Sequence, residues 1–329
     1  MLRIAGITAL AAAAMLAAKA EAADYSFTTF SVPGTLATQA IGLNAGGQIV
    51  GYFATAFASP PFLISGSTQG FLYNAGAFSA INVPNASLTE ALGINDSGQI
   101  VGIYNDPSAL GFRQHGFLDN AGVFSAVDVP NASQTFAGGI NDSGQIVGSY
   151  VDTNGAHGFL DNAGVFRTID VPGASGTIAF GINNRGQVVG VYRDGSQHDH
   201  GFVDGNGVFN VIDVPGADNT DAYGINDAGQ IVGSYAGANG SRSFVDSAGI
   251  FSTIDVPGMN ATSAFGINSA GQISGTYAPG SGTLGSPAGF EADGGRGFLA
   301  TPAGILEPTS FALIGSGLLG LGVVRFKRG

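Results

Sequence analysis

Histidine recurs at one place in the chain's pattern. His115, His157 and His200 each open a His-Gly-Phe triplet, and the corresponding places in other copies hold Gln69, Arg242 and Arg296. Three imidazoles converging on an axis could bind a metal. The competing reading is a polar strand-edge residue copied by duplication, and the two arginines would set positive charge beside any ion. Asp128, Asp170, Asp213 and Asp255 form a second ladder, each just before a Val-Pro pair. They could bind calcium or accept backbone N–H bonds at a strand end, and no Asp-x-Asp-x-Asp-Gly loop accompanies them. Catalysis needs residues that break such symmetry, and the singular candidates, Glu90, Glu291, Arg113 and His198, are scattered over different copies. Cysteine is absent, which removes thiolate ligands, thiol nucleophiles and disulfides. These patterns assign no catalytic residue, no metal and no cofactor.

Charge narrows the partners. The 329 residues carry a formal net charge of −12, and between Ala23 and Leu306 there are 21 Asp and Glu against six Arg and no Lys. Phosphate contacts need a basic face, so no nucleic acid is expected as a partner. A hydrophobic fraction of 44% argues for a packed core.

The elements that must carry these residues are repeats. Val-Pro pairs begin at Val32, Val83, Val129, Val171, Val214 and Val256, and a Gly-(Ile/Leu)-Asn landmark follows with its Asn 12 residues after each Val. Phe71, Phe117, Phe159, Phe202 and Phe244 each precede a Val by 12 residues. One copy runs through four segments rich in Val, Ile, Phe and Tyr: around Phe159, from Val165 to Pro172, Ala179 to Asn183, and Gln187 to Tyr192. Turns such as Asp161-Asn162-Ala163-Gly164 and Asn183-Asn184-Arg185-Gly186 separate them, and both predict a type I turn completed by a left-handed Gly. No helical period appears between the termini. Four strands in about 42 residues match a propeller blade, and six copies predict six blades. The entering segment at Phe27 and the leaving segment at Arg296-Gly297-Phe298-Leu299 complete one blade between them, which protects the open edges. A β-solenoid is the alternative, and it lacks this closing arithmetic.

Length varies at one junction, between the fourth segment and the next first one, and these junctions share a face. The long ones hold Pro60, Pro61 and Phe62, and Glu291, Asp293 and Arg296, which makes them candidate ligand loops.

Both ends read as addresses. Met1 to Ala22 has a basic start at Arg3, an apolar stretch and small-residue cleavage sites, the pattern of a secretory signal peptide. From Leu306, Glu307-Pro308 precedes an uncharged run from Thr309 to Val324, and Arg325, Lys327 and Arg328 end the chain. Such a run forms a transmembrane helix with its basic end held inside. The expected domains are thus 1–22, a six-repeat unit over 23–305, and a sorting tail over 306–329.

Two resemblances follow from these residues. The cycle of Val-Pro, Gly-Ile-Asn-Asp-Ser-Gly-Gln-Ile-Val-Gly and His-Gly-Phe-Leu resembles the extracellular HAF repeat family over about Phe27 to Leu299, with Gly in place of the family's middle Ala. It implies a propeller-like surface or secreted protein and no established activity. The tail resembles the PEP-CTERM sorting signal, with Leu306 where the first Pro is expected. That resemblance implies transient retention in the inner membrane and processing by an exosortase. The expectation is an exported, non-catalytic scaffold that binds exopolysaccharide or another envelope component; the alternative is a secreted propeller hydrolase or lyase acting on glycans.

Overall fold

The computed structural model describes residues 25–55, 68–106, 113–237, 240–259, 261–278 and 295–304. Their 24 strands form six four-stranded antiparallel sheets. The third sheet is representative: β10 (Gln134–Ile140), β11 (Ile146–Asp152), β12 (Gly155–Asn162) and β13 (Val165–Ile169) pair in chain order. The first strands of the sheets touch one another around a ring and line a central channel. They are β2 (Ala37–Leu43), β6 (Leu88–Ile94), β10, β14 (Gly176–Ile182), β18 (Asn219–Ile225) and β22 (Ala261–Ile267). The chain is therefore a six-bladed propeller, and its blades are numbered here from β2. The sixth blade joins β22, β23 (Ile273–Ala278) and β24 (Arg296–Pro302) to β1 (Tyr25–Phe30), with Phe27 opposite Ala300 and Thr29 opposite Phe298.

Two expectations change. The four-segment unit read from the sequence begins two strands late, so the variable junctions lie within blades, between second and third strands, and the Val-Pro links cross from blade to blade. Antiparallel order still puts the junctions and the links at one end, the upper face. In each link, the Val N–H donates to a Thr hydroxyl six residues on, from Val32 to Thr38 through Val256 to Thr262. Of the two turns, only the Asn-led one keeps a single left-handed Gly. Asn162 pairs directly with Val165, leaving a two-residue loop in which Ala163 (φ 53°) and Gly164 (φ 86°) are both left-handed, a type I′ geometry whose twist suits a tight hairpin.

The core lies between blades. Val101 of the second blade packs with Ala137, Ile140, Ile146 and Phe159 of the third, and Phe159 is fully buried with Phe166 edge-on at 5.5 Å. Gly148 shows why a glycine sits under that ring. A Cβ there would lie 1.8 Å from the Phe136 carbonyl oxygen and 2.9 Å from the Phe159 ring.

The landmark asparagines close the ring. Asn44 Nδ2 donates to the Asn95 carbonyl, and the pattern passes through Asn141, Asn183 and Asn226 until Asn268 donates back to the Asn44 carbonyl, at 3.0–3.2 Å. Each Nδ2 also reaches the Gln four residues on, and each Oδ1 accepts that Gln's backbone N–H. These buried amides thus satisfy one another around the axis.

The sequence-stretch expectations for Met1 to Ala22 and for the tail from Leu306, including Glu307, Pro308, Arg325, Lys327 and Arg328, lie outside the described residues. So do Pro60, Pro61, Phe62, Glu291 and Asp293. Among the described residues, no helix is long and apolar enough to cross a membrane.

Candidate functional site

The histidine and aspartate ladders meet each other. His115 Nδ1 lies 2.8 Å from Asp128, His157 Nδ1 2.9 Å from Asp170, and His200 Nδ1 2.9 Å from Asp213. In the fifth blade Arg242 takes the imidazole's place and reaches Asp255 at 2.9 Å. Each imidazole stacks on a tyrosine of the neighbouring strand, Tyr104, Tyr150 or Tyr192, with ring centroids 5.1–5.2 Å apart. The imidazoles themselves sit on third strands, two strands out from the channel, so they do not converge on the axis. Among the described residues no group of three or more His, Asp or Glu could hold a metal ion. Burial opposes protonation of His200, but Asp213 and Asp194 outweigh it and hold the imidazole above its ordinary range. Arg296 opens β24 opposite Tyr277, and the Arg113 guanidinium donates to the Ala132 carbonyl. His198 is exposed, with its backbone N–H on Asp194.

The channel is a different environment. Three residues before each landmark Asn stand Ile41, Leu92, Gly138, Phe180, Tyr223 and Phe265, which line a largely apolar well of about 330 Å³. Inner strands crowd there: a Cβ at Gly181 would lie 2.7 Å from the Tyr223 carbonyl oxygen. The asparagine ring forms the floor, and below it a smaller cavity of about 110 Å³ opens between Asp96, Asp142, Asn184 and Asp227. Their side chains accept backbone N–H bonds from the preceding blade at 2.7–2.8 Å, so this lower ring is built for blade-to-blade contact.

Two residues higher on the same strand face, the copies diverge completely: Gln39, Glu90, Phe136, Ile178, Asp221 and Ser263. Glu90 and Asp221 belong to the second and fifth blades, opposite each other in a ring of six. Glu90 is 5% exposed, and its Oε2 has no hydrogen-bond partner in the structure. Burial pushes its carboxyl up to about 8; burial first, and the Glu90 charge after it, push the Tyr52 hydroxyl up. Asp221 is pushed up to about 6, chiefly by burial, against the lowering effect of the Tyr223 hydroxyl that donates to it at 2.9 Å. The Ser234 hydroxyl in turn donates to Tyr223 at 3.2 Å.

Beside Asp221, on the upper face, a cavity of about 520 Å³ is lined by Arg193, Gln197, Asp199 and Asp221 together with Phe180 and Tyr223, which it shares with the well. Asp199 holds the Arg193 guanidinium through two bonds of 2.7 and 2.8 Å, and its own N–H donates to Asn219. Of the singular residues picked from the sequence and described, Glu90 alone stands on an inner strand. Asp221, Tyr223, Arg193 and Asp199 were missed. The signal for Asp221 was present in the column five residues before each landmark Asn, where no two copies agree.

No protein-family model matches the chain, and no curated protein matches it. Among solved structures, a mutant of AofleA from Arthrobotrys oligospora is 14% identical over 78% of this chain and 83% of that chain, with a TM-score of 0.48. TolB from Acinetobacter baumannii is 10% identical over 64% of this chain and 52% of that one, with a TM-score of 0.48. XC5397 from Xanthomonas campestris, a gluconolactonase, is 12% identical over 86% and 91%, with a TM-score of 0.47. These likenesses bring neither a ligand nor a reaction to this chain.

Proposed function

We propose that this chain is an exported surface or matrix protein that binds polysaccharide at the upper mouth of its channel and does not catalyse. The observation that carries this reading is the placement of the variation: the repeat keeps its turns, rings and links, and departs from itself on the inner strands five residues before the landmark Asn, where Ile178 and Asp221 line the mouth of one cavity. There a cavity of about 520 Å³ sets the aromatic faces of Phe180 and Tyr223 beside planar hydrogen-bonding groups on Arg193, Gln197 and Asp199. Small-ligand sites have this size and this mixture of apolar wall and few polar groups. Sugars offer matching surfaces, a C–H-rich ring face and outward hydroxyls.

Export rests on the leader from Met1 to Ala22. Transient partners in this reading are the inner membrane, through the run after Pro308, and an exosortase acting near Glu307-Pro308. Intact mass of the secreted protein tests both cleavages. A glycan array, together with pull-downs using extracellular polysaccharide from the source cells, tests the binding. Retention by the native protein and loss in Phe180→Ala/Tyr223→Ala is the expected result, and blank arrays and pull-downs would sink the reading.

A second reading, glycan hydrolysis, draws on two opposed carboxyls held at different protonation levels, Glu90 and Asp221. Reducing-end release from the bound polysaccharide, abolished in Glu90→Gln, would favour it.

A further inference from the structure

The apolar well has an arm that the repeat leaves open in one blade. In blades one and two the well is filled from two strands: Ile41 and Leu92 on the inner strands pack with Tyr52 and Ile103 on their neighbours. Blade three carries Gly138 and Ser149 at those two places, and among the six blades it alone is small at both. The well runs into that blade, and its wall continues through Gln134, Ser149, Val151 and Ala156. Ala156, Ile178, Phe180 and Tyr223 also line the mouth cavity of about 520 Å³, so the apolar well and the polar mouth meet at four shared residues. Arg193, Gln197 and Asp199 stand on the mouth side only, and the landmark asparagines close the other end. Gln134 and Ser149 bring an amide and a hydroxyl to a largely apolar wall.

We propose that the well takes an acyl chain carried by the sugar at the mouth, so that the ligand is an O-acylated saccharide. The inference rests on the polysaccharide reading above and names its ligand class. A plain sugar is rimmed with hydroxyls and has nothing to offer an apolar well. An acyl ester supplies the missing part, an apolar chain behind one carbonyl acceptor. The chain leaves water for a wall that includes Leu92, Phe136, Phe180 and Phe265, which favours it in proportion to the area covered. Its carbonyl meets the donors of Gln134 and Ser149, which keeps polar groups paired as water is displaced. The sugar itself stays among Arg193, Gln197 and Asp199. Adjoining cavities of about 330 and 520 Å³ suit such a two-part ligand.

The experiment is calorimetric titration of the mature protein with glucose and with its acetyl and hexanoyl esters at the primary hydroxyl, repeated on the sugar that the glycan array retains where that differs. The expected result is binding of the hexanoyl ester at least about tenfold tighter than the acetyl ester, since each methylene moved out of water is worth about a factor of three to four. Gly138→Leu and Ser149→Ile, which bring in the residues that blade two carries as Leu92 and Ile103, should each pull that ratio down toward one. Val123→Ser/Val165→Ser/Val208→Ser, which removes apolar groups 64–71% exposed on the outer strands, should leave the ratio unchanged. Equal binding of plain and acylated sugars overturns the acyl inference and leaves the polysaccharide reading standing. Free hexanoate bound as tightly as its sugar ester also overturns it, because the well would then act without the mouth. So does a ratio that survives in both filled variants and fades in the outer-strand variant, the mark of adhesion to exposed apolar surface. No binding of any sugar here or on the array takes down both. A Cβ at Gly138 would lie 3.1 Å from the Phe180 carbonyl oxygen, a tight fit, so Ser149→Ile gives an independent filling of the arm, and circular dichroism checks that each variant folds.

Discussion

Replacing Glu90 by Gln should stabilise the protein, and by an amount that depends on pH in a defined way. The carboxyl titrates near 8 in the fold and near 4.5 when unfolded, because burial disfavours its charged form. Between those values the folded chain binds the proton more tightly than the unfolded one, so the sign follows. The group's contribution is fully present below about 4.5 and is lost as pH rises through about 8. At pH 7 the lost stability is roughly 3 kcal/mol, each pH unit between the two values being worth about 1.4 kcal/mol. Gln cannot ionise, and blade one already buries Gln39 at 3% exposure in the equivalent place. The unpaired amide takes back part of the gain, on the order of 1 kcal/mol. The net expectation is about 2 kcal/mol of added stability at pH 7, about 3 at pH 8, and a small net loss, under about 1 kcal/mol, at pH 4.5, where only the cost of the amide is left. Urea unfolding followed by far-ultraviolet circular dichroism at the three pH values measures it. The difference between variant and native protein isolates this one group from the other carboxylates. Equal midpoints at pH 8, or the same difference at pH 4.5 as at pH 8, would refute the reasoning.

Other expectations follow from single contacts. Asn141→Ala removes the amide that bonds the Asn183 carbonyl and Gln145, leaving buried groups unpaired, and should cost about 2–4 kcal/mol, read as a fall in denaturation midpoint. Gly148→Ala pushes a methyl into the Phe136 carbonyl, and its soluble yield and thermal midpoint should fall further than those of any ring variant. His157→Arg should keep its bond to Asp170, as Arg242 keeps one to Asp255, and stay within about 1 kcal/mol of the native protein, whereas His157→Ala leaves the Asp alone. For His200, nuclear magnetic resonance titration should place the imidazole above its ordinary range, and Asp213→Asn should bring it down. Since the folded value is raised, that pair's contribution is full in acid and disappears as pH climbs through it.

The ring was legible because duplication writes the fold six times. Four Gly-punctuated strands per copy, and end segments that complete one another, predict the blade count and the pairing of Phe27 with the leaving strand without any coordinates. The left-handed glycines at Gly98, Gly144 and Gly186 were equally readable, since a turn imposes its own backbone demand. The phase of the blade was not. A cyclic repeat has no start, and only hydrogen bonding shows that Val171-Pro172 crosses between sheets while Asp152 to Gly155 turns within one. Nor could the loop at Ala163-Gly164 be told from a longer turn, because its two-residue length is set by the pairing of Asn162 with Val165.

The candidate site divides the same way. By itself the sequence determined that His115, His157 and His200 are equivalent and that Asp128, Asp170 and Asp213 are equivalent, since equal spacing is a property of the chain. That the two ladders are partners was decided by the antiparallel pairing of third and fourth strands, which folds residues 13 apart onto one another. The surroundings of Glu90 and Asp221 were decided by the tertiary structure alone. The sequence shows that they hold one place in two copies, but the burial of Glu90 and the cavity beside Asp221 arise only because six inner strands close into a ring that sets the second blade against the fifth.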